Sequence, residues 1–96
     1  MPLATFTLNT SSATKIAARK GRRQRQWLSI QNNGPGDVRL GIGVSAITTS
    51  KGLLVEEGCD CYISNEDHAA PAAGEVWAIG VTGAAVVDVT EGGGAV

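Results

Sequence analysis

Ninety-six residues with a 43% apolar fraction make a single domain with one thin core, which excludes a deep central cleft. No run approaches the roughly 18 consecutive apolar residues of a membrane span, and "MPLATFTLNTSS" lacks the basic start and apolar run of a secretory signal, so a soluble chain made in the cytosol is expected. The net charge of −1 hides a split: residues 1–51 hold all eight Lys and Arg against Asp37 alone, while residues 52–96 hold eight acids and no Lys or Arg. Both halves carry apolar β pattern, so neither reads as a disordered tail: either the halves interleave in one sheet structure and neutralise each other, or the folded molecule has a basic end and an acidic end suited to pairing with its own copies or with a charged surface.

In chain order, "ATFTL" alternates, with Ala4, Phe6 and Leu8 on one side and Thr5 and Thr7 on the other. A polar "NTSSA" turn leads into "TKIAAR", where a helix across residues 12–20 is the competing reading. The loop "RKGRRQR" then places Arg19, Lys20, Arg22, Arg23 and Arg25 within seven residues. "QWLSIQN" puts Leu28 and Ile30 on one face and Trp27, Ser29 and Gln31 on the other, and "NGPG" is a strong turn signal. "DVRLGIG" directs Val38, Leu40 and Ile42 inward and Arg39 outward.

After the looser "VSAITTSKG", "LLVEEG" reads as a strand with Glu56 and Glu57 facing opposite ways, and "CDCYIS" as one with Cys59, Cys61 and Ile63 on a shared face. "NEDHAAPAAG" reads as a loop. "EVWAIGV" is apolar enough to be buried on both sides, with Trp77 in the core, and "AAVVDVTEG" sets Val87 and Val89 against Asp88 and Thr90. About eight short antiparallel strands with glycine-rich turns predict an all-β fold, a single compact β-sandwich or small barrel spanning 1–96 with flexible ends at 1–3 and 92–96.

No catalytic constellation is legible, and no cofactor or metal is expected. The one histidine, His68, sits beside acids in a loop and reads as a solvated residue, and "SNED" at 64–67 lacks the spacing of a cation loop. The Cys-x-Cys pair has poor geometry for a mutual disulfide and reads as two small buried hydrophobes. The basic loop has the composition of a nucleic-acid patch, but a pI of about 5.7 and four aromatics in all disfavour that partner. Trp27 flanked by arginines has instead the composition of an interface hot spot, against the alternative that the strand is covered within the monomer.

The stretches "RRQRQWLSIQNNGPGDVRLGIG", "KGLLVEEGCDCYISNED" and "AAGEVWAIGVTGAAVVDVTEG" resemble small structural proteins of tailed bacteriophages. The residues that carry the likeness include Arg25, Leu28, Ile30, Asn32, Val38, Leu40, Gly41, Gly74, Val76, Trp77 and Gly92, and it runs over about residues 3–92. The resemblance implies a β-sandwich that decorates the capsid or forms the base of a head fibre, in a symmetric oligomer such as a trimer. The absence of a long fibre-like extension favours capsid cement. The partners it implies are the major capsid protein or other virion subunits. The unusually basic loop and the Cys-x-Cys depart from the pattern of those proteins, and it is the composition of the loop and its edge that marks Arg19, Lys20, Arg22, Arg23, Arg25, Trp27 and Arg39 as the expected contact residues. A nucleic-acid-binding β domain using residues 19–25 and a tail or portal adaptor of the same fold are the alternatives.

Overall fold

Period-two alternation in short segments, with β-branched residues on the buried side, produces eight strands and no helix among the described residues. The computed structural model describes residues 3–18, 27–64 and 74–92. The strands are β1 (Leu3–Thr7), β2 (Thr14–Ala17), β3 (Trp27–Asn32), β4 (Val38–Ile42), β5 (Leu53–Val55), β6 (Asp60–Ser64), β7 (Val76–Gly80) and β8 (Val86–Gly92). The helix considered across residues 12–20 gives way to β2. Leu3 and Gly92, expected in flexible ends, both belong to strands, paired with Thr90 and Trp27 respectively.

The strands form two four-stranded antiparallel sheets, ordered β1-β8-β3-β6 and β2-β7-β4-β5. The pairs 1·8, 2·7, 3·6 and 4·5 nest, as in one long hairpin rolled over on itself. That is the strand order of a jelly roll. Along each sheet, strands from the cationic half alternate with strands from the acidic half, so the two halves interleave, the first of the two readings of their composition. Lys15 of β2 accordingly meets Glu75, just before β7, at 3.4 Å.

Leu28 and Ile30 of β3, Val38 and Leu40 of β4, Val76 and Ala78 of β7 and Val87 and Val89 of β8 fill the space between the sheets, together with Leu8, Ile16, Val55 and Ile63. Burial on both faces, expected for β7, holds at Ile79 but not at Trp77. Ile79 points away from the main core yet is only 3% exposed. On the same sheet the loop 43–52 folds back over Gly41, where Ile47 is buried. Trp77 departs from expectation. It stands opposite Lys15 and Gly41, half-buried on the outer face rather than in the core, with the Lys15 ammonium 5.6 Å from the ring centroid.

Four of the six sheet-to-sheet connections gather at one end: residues 8–13, 33–37, 56–59 and 81–85. Asn32, fully buried, locks two of them. Its Nδ2 donates to the carbonyls of Gly36 and Val55, both at 3.0 Å, and its Oδ1 accepts from the Gly34 amide at 2.9 Å. Gly34 and Gly36 both carry positive φ (77° and 84°), so this turn needs residues free to adopt the left-handed region. Glu56 and Glu57 do not extend β5 as expected, because the chain turns after Val55. Glu57 instead accepts from the Gly36 amide at 2.7 Å.

Asp88, on the outer face of the first sheet, accepts from the Thr5 hydroxyl at 2.7 Å and from Asn33 Nδ2 at 2.8 Å. The Thr5 bond first, and the Asn33 bond second, hold its carboxyl below the ordinary aspartate range. A depressed folded-state pKa stabilises the fold above the unfolded value, and that contribution is lost as pH falls through the folded value. Thermal melts of Asp88→Asn should therefore show a shallower loss of stability than wild type as pH drops below about 4. An unchanged pH slope would show that Asp88 does not pin β1 to β8.

Candidate functional site

Of the residues expected to carry partner contacts, Arg19, Lys20, Arg22, Arg23 and Arg25 lie outside the described residues, as do His68 and residues 65–67 of the "SNED" stretch. Trp27 and Arg39 are described, and the fold puts them on opposite sheets. Arg39 points away from the core, as its alternation predicted, but is half-buried. Its Nη1 donates to the Gly52 carbonyl at 2.8 Å, while its Nε is buried without a hydrogen-bond partner. Arg39 thereby ties β4 to the approach of β5 within the chain.

Trp27 opens β3 on the outer face of the first sheet. It pairs with Gly92 on one side and with Ser64 on the other. The indole lies across Gly92, where a Cβ would come within 2.6 Å of its ring carbons. It also stacks on Tyr62 of β6, with centroids 6.1 Å apart and planes 23° from parallel. Tyr62 faces Ser29 across the strand pair, so the two rings meet on the diagonal, within reach of aromatic side chains. Trp27 is therefore half-buried by its own neighbours, and the exposed member of the pair is Tyr62, with 64% of its surface free.

Tyr62 was not singled out from the sequence, although alternation already placed it opposite Cys61 and Ile63. Its position on an edge strand, which leaves it uncovered, follows only from the pairing of β6 with β3 alone.

The second exposed apolar region lies beside it. β5 and β6 are the edge strands of the two sheets, joined by the turn at 56–59. Between them runs a groove of about 250 Å³ lined by Leu53, Leu54, Val55, Glu56, Cys59, Asp60 and Cys61. Leu53 and Leu54 are 49% and 43% exposed. Exposed apolar side chains of this size on edge strands mark interaction surfaces.

Two thiols line the groove, which corrects their reading as buried hydrophobes. The turn leaves Cys59 exposed ahead of β6, and Cys61 packs only partly against the core; both are free. Burial first, and the adjacent Asp60 charge second, push the Cys61 thiol up. Mass-spectrometric mapping of iodoacetamide labelling at neutral pH should find Cys59 alkylated about several-fold faster, because Cys59 is exposed while burial both shields the Cys61 thiol and disfavours its thiolate. Faster labelling at Cys61 would contradict this.

Among the described residues, no three His, Cys, Asp or Glu side chains converge on a common metal position. No described helix is long and apolar enough to cross a membrane. The arrangement offers an aromatic platform and an apolar groove with an acidic rim. What it can do is bind. The chain matches no family model, no curated protein and no solved structure.

Proposed function

We propose that this chain is a non-enzymatic structural module of a phage virion, a decoration or cement protein that binds the head shell through the outer face of its first sheet. The observation that carries the reading is the Trp27–Tyr62 pair, a rigid aromatic platform presented to solvent from a small sandwich. Aromatic side chains bring large contact area at low cost in conformational entropy and are enriched at interface cores. The jelly-roll order supports the reading by analogy, since viral capsid domains use it, as do lectins and cupins. The resemblance of the sequence to small phage structural proteins points the same way.

The mechanism is linkage. A protein that fits only the mature lattice favours that lattice by mass action, and many copies with modest contacts sum to a large stabilisation. The test is co-sedimentation of purified chain with heads that lack it. Wild type should pellet with the heads. Tyr62→Glu, which puts a charge on an exposed position and leaves the core intact, should weaken binding on the order of a hundred-fold. Equal binding by the two proteins would overturn the assignment of this face, and no binding by wild type would overturn the function.

A further inference from the structure

The groove between β5 and β6 is separate from the aromatic platform and has its own chemistry. Its walls are apolar, from Leu53, Leu54, Val55 and Cys61, and its rim is acidic, from Glu56 and Asp60. The contiguous stretch 53–61 contains three acids and no cation. Both rim carboxylates belong to exposed residues. Glu57, the third acid, is occupied in holding the Gly36 amide. A ligand complementary to this groove carries at least two positive charges in a short extended segment.

The chain contains such a segment. Residues 19–25, "RKGRRQR", hold five cations in seven residues. We infer that the β5/β6 groove is a self-association site that takes this stretch from a second copy of the chain. The inference deepens the virion reading and rests on it, naming the partner at a second face.

Chain length argues for a neighbour over the same molecule. The stretch leaves from Ala18, after β2, and rejoins at Trp27, which makes nine residue steps. β2 and β5 are at opposite edges of their sheet, three strand spacings or roughly 14 Å apart. Val55 is level with Val38, and Ala17 with Val76 opposite Ile42, a further four residues or roughly 13 Å along the strands. Trp27 in turn is level with Ser64, four residues from Asp60, which adds roughly 13 Å for the return. The round trip is roughly 32 Å and would consume the full contour of nine extended residues. A second molecule is under no such limit.

The contact is heterologous, groove to segment, so it propagates from copy to copy and closes into a ring when the rotation permits. Every copy in such a ring uses both its surfaces, which gives the opposed charges of the two halves a common role. The Trp27–Tyr62 face is left free for the shell.

The test is sedimentation-velocity analysis of the full chain, with two charge-reversed variants. The groove variant is Glu56→Lys with Asp60→Lys, and the segment variant is Arg22→Glu with Arg23→Glu. Circular dichroism confirms that each is folded. Wild type should sediment as an assembly larger than the 9.8 kDa monomer and dissociate as salt rises. Each variant alone should self-associate more weakly, on the order of ten-fold or more, and a mixture of the two should regain association through the reversed pairing. A wild type that stays monomeric at high concentration would overturn the inference. So would assemblies indifferent to both variants, or variants that fail to complement each other.

The outcome is distinguishable from failure of the virion reading. Loss of self-association with head binding retained removes only this contact, whereas Tyr62→Glu tests the other face.

Discussion

Asn32→Ala is expected to destabilise the fold by about 3 kcal/mol, measured as a fall in the urea midpoint at unchanged slope. The side chain is fully buried and makes three hydrogen bonds, to Gly34, Gly36 and Val55. Alanine removes the amide and leaves the two carbonyls and one amide hydrogen that it served to find partners in a dry site, each unmet group costing about 1–3 kcal/mol. The backbone of Asn32 adds to its importance, donating to Cys59 and accepting from Gly58, both at 2.9 Å. One residue thus holds the 33–37 and 56–59 turns to the end of β5. Asn32→Asp separates charge and donor effects from loss of volume, because it keeps the acceptor and turns the donor into an acceptor facing two carbonyls. It should be at least as damaging as alanine. A change below about 0.5 kcal/mol in Asn32→Ala, the size of an ordinary surface substitution, would show that the clamp contributes nothing.

Gly41→Ala is expected to cost about 2 kcal/mol, within the range for overpacking a close-fitted site. A Cβ at Gly41 would sit on the Val44 carbonyl and lie 2.7 Å from Ile47 Cγ2. The backbone of the 43–47 loop must then lift, and Ile47 loses its buried place on the outer face of sheet two. Gly83→Ala is the control. Nothing lies within 4 Å of its added Cβ and no positive φ opposes it, so it should change stability by less than about 0.5 kcal/mol. Equal effects of the two substitutions would mean that the loop is not packed where the structure puts it.

Much of the fold was legible because β alternation is local. The two faces of β3 and β4 follow from Leu28, Ile30, Val38 and Leu40 alone, and all four are buried. What periodicity omits is the partner of each strand. Nothing in "LLV" or "DCYIS" indicates that β5 and β6 are edges, yet that fact exposes Leu54 and Tyr62. Trp77 was placed in the core on hydrophobicity, whereas strand parity puts it outward with Arg39 and Lys15, on a face only partly covered by loop 43–52. Asn32 was legible as a motif residue but not as a clamp, since its acceptors at Gly36 and Val55 are brought to it by two turns. Cys59 shows a further limit: the alternation of the sequence runs one residue past the start of β6 at Asp60, so a residue it assigns to the buried face lies exposed in the turn.

The candidate site was legible only in part. Trp27 was selected for its arginine neighbours, but in the folded chain its defining contacts are Tyr62 and Gly92, from strands more than thirty positions away in sequence. Composition can suggest that an aromatic residue binds something. Only the register β8-β3-β6 shows which of its faces is used up internally and which ring remains for a partner.

Electron cryomicroscopy of the native particle, at a resolution that shows side chains, examines this directly. The account predicts a capsid subunit seated over Tyr62 and the outer edge of Trp27, with both rings removed from water. A particle carrying the chain with that aromatic pair facing open solvent, or a particle without the chain, would contradict it.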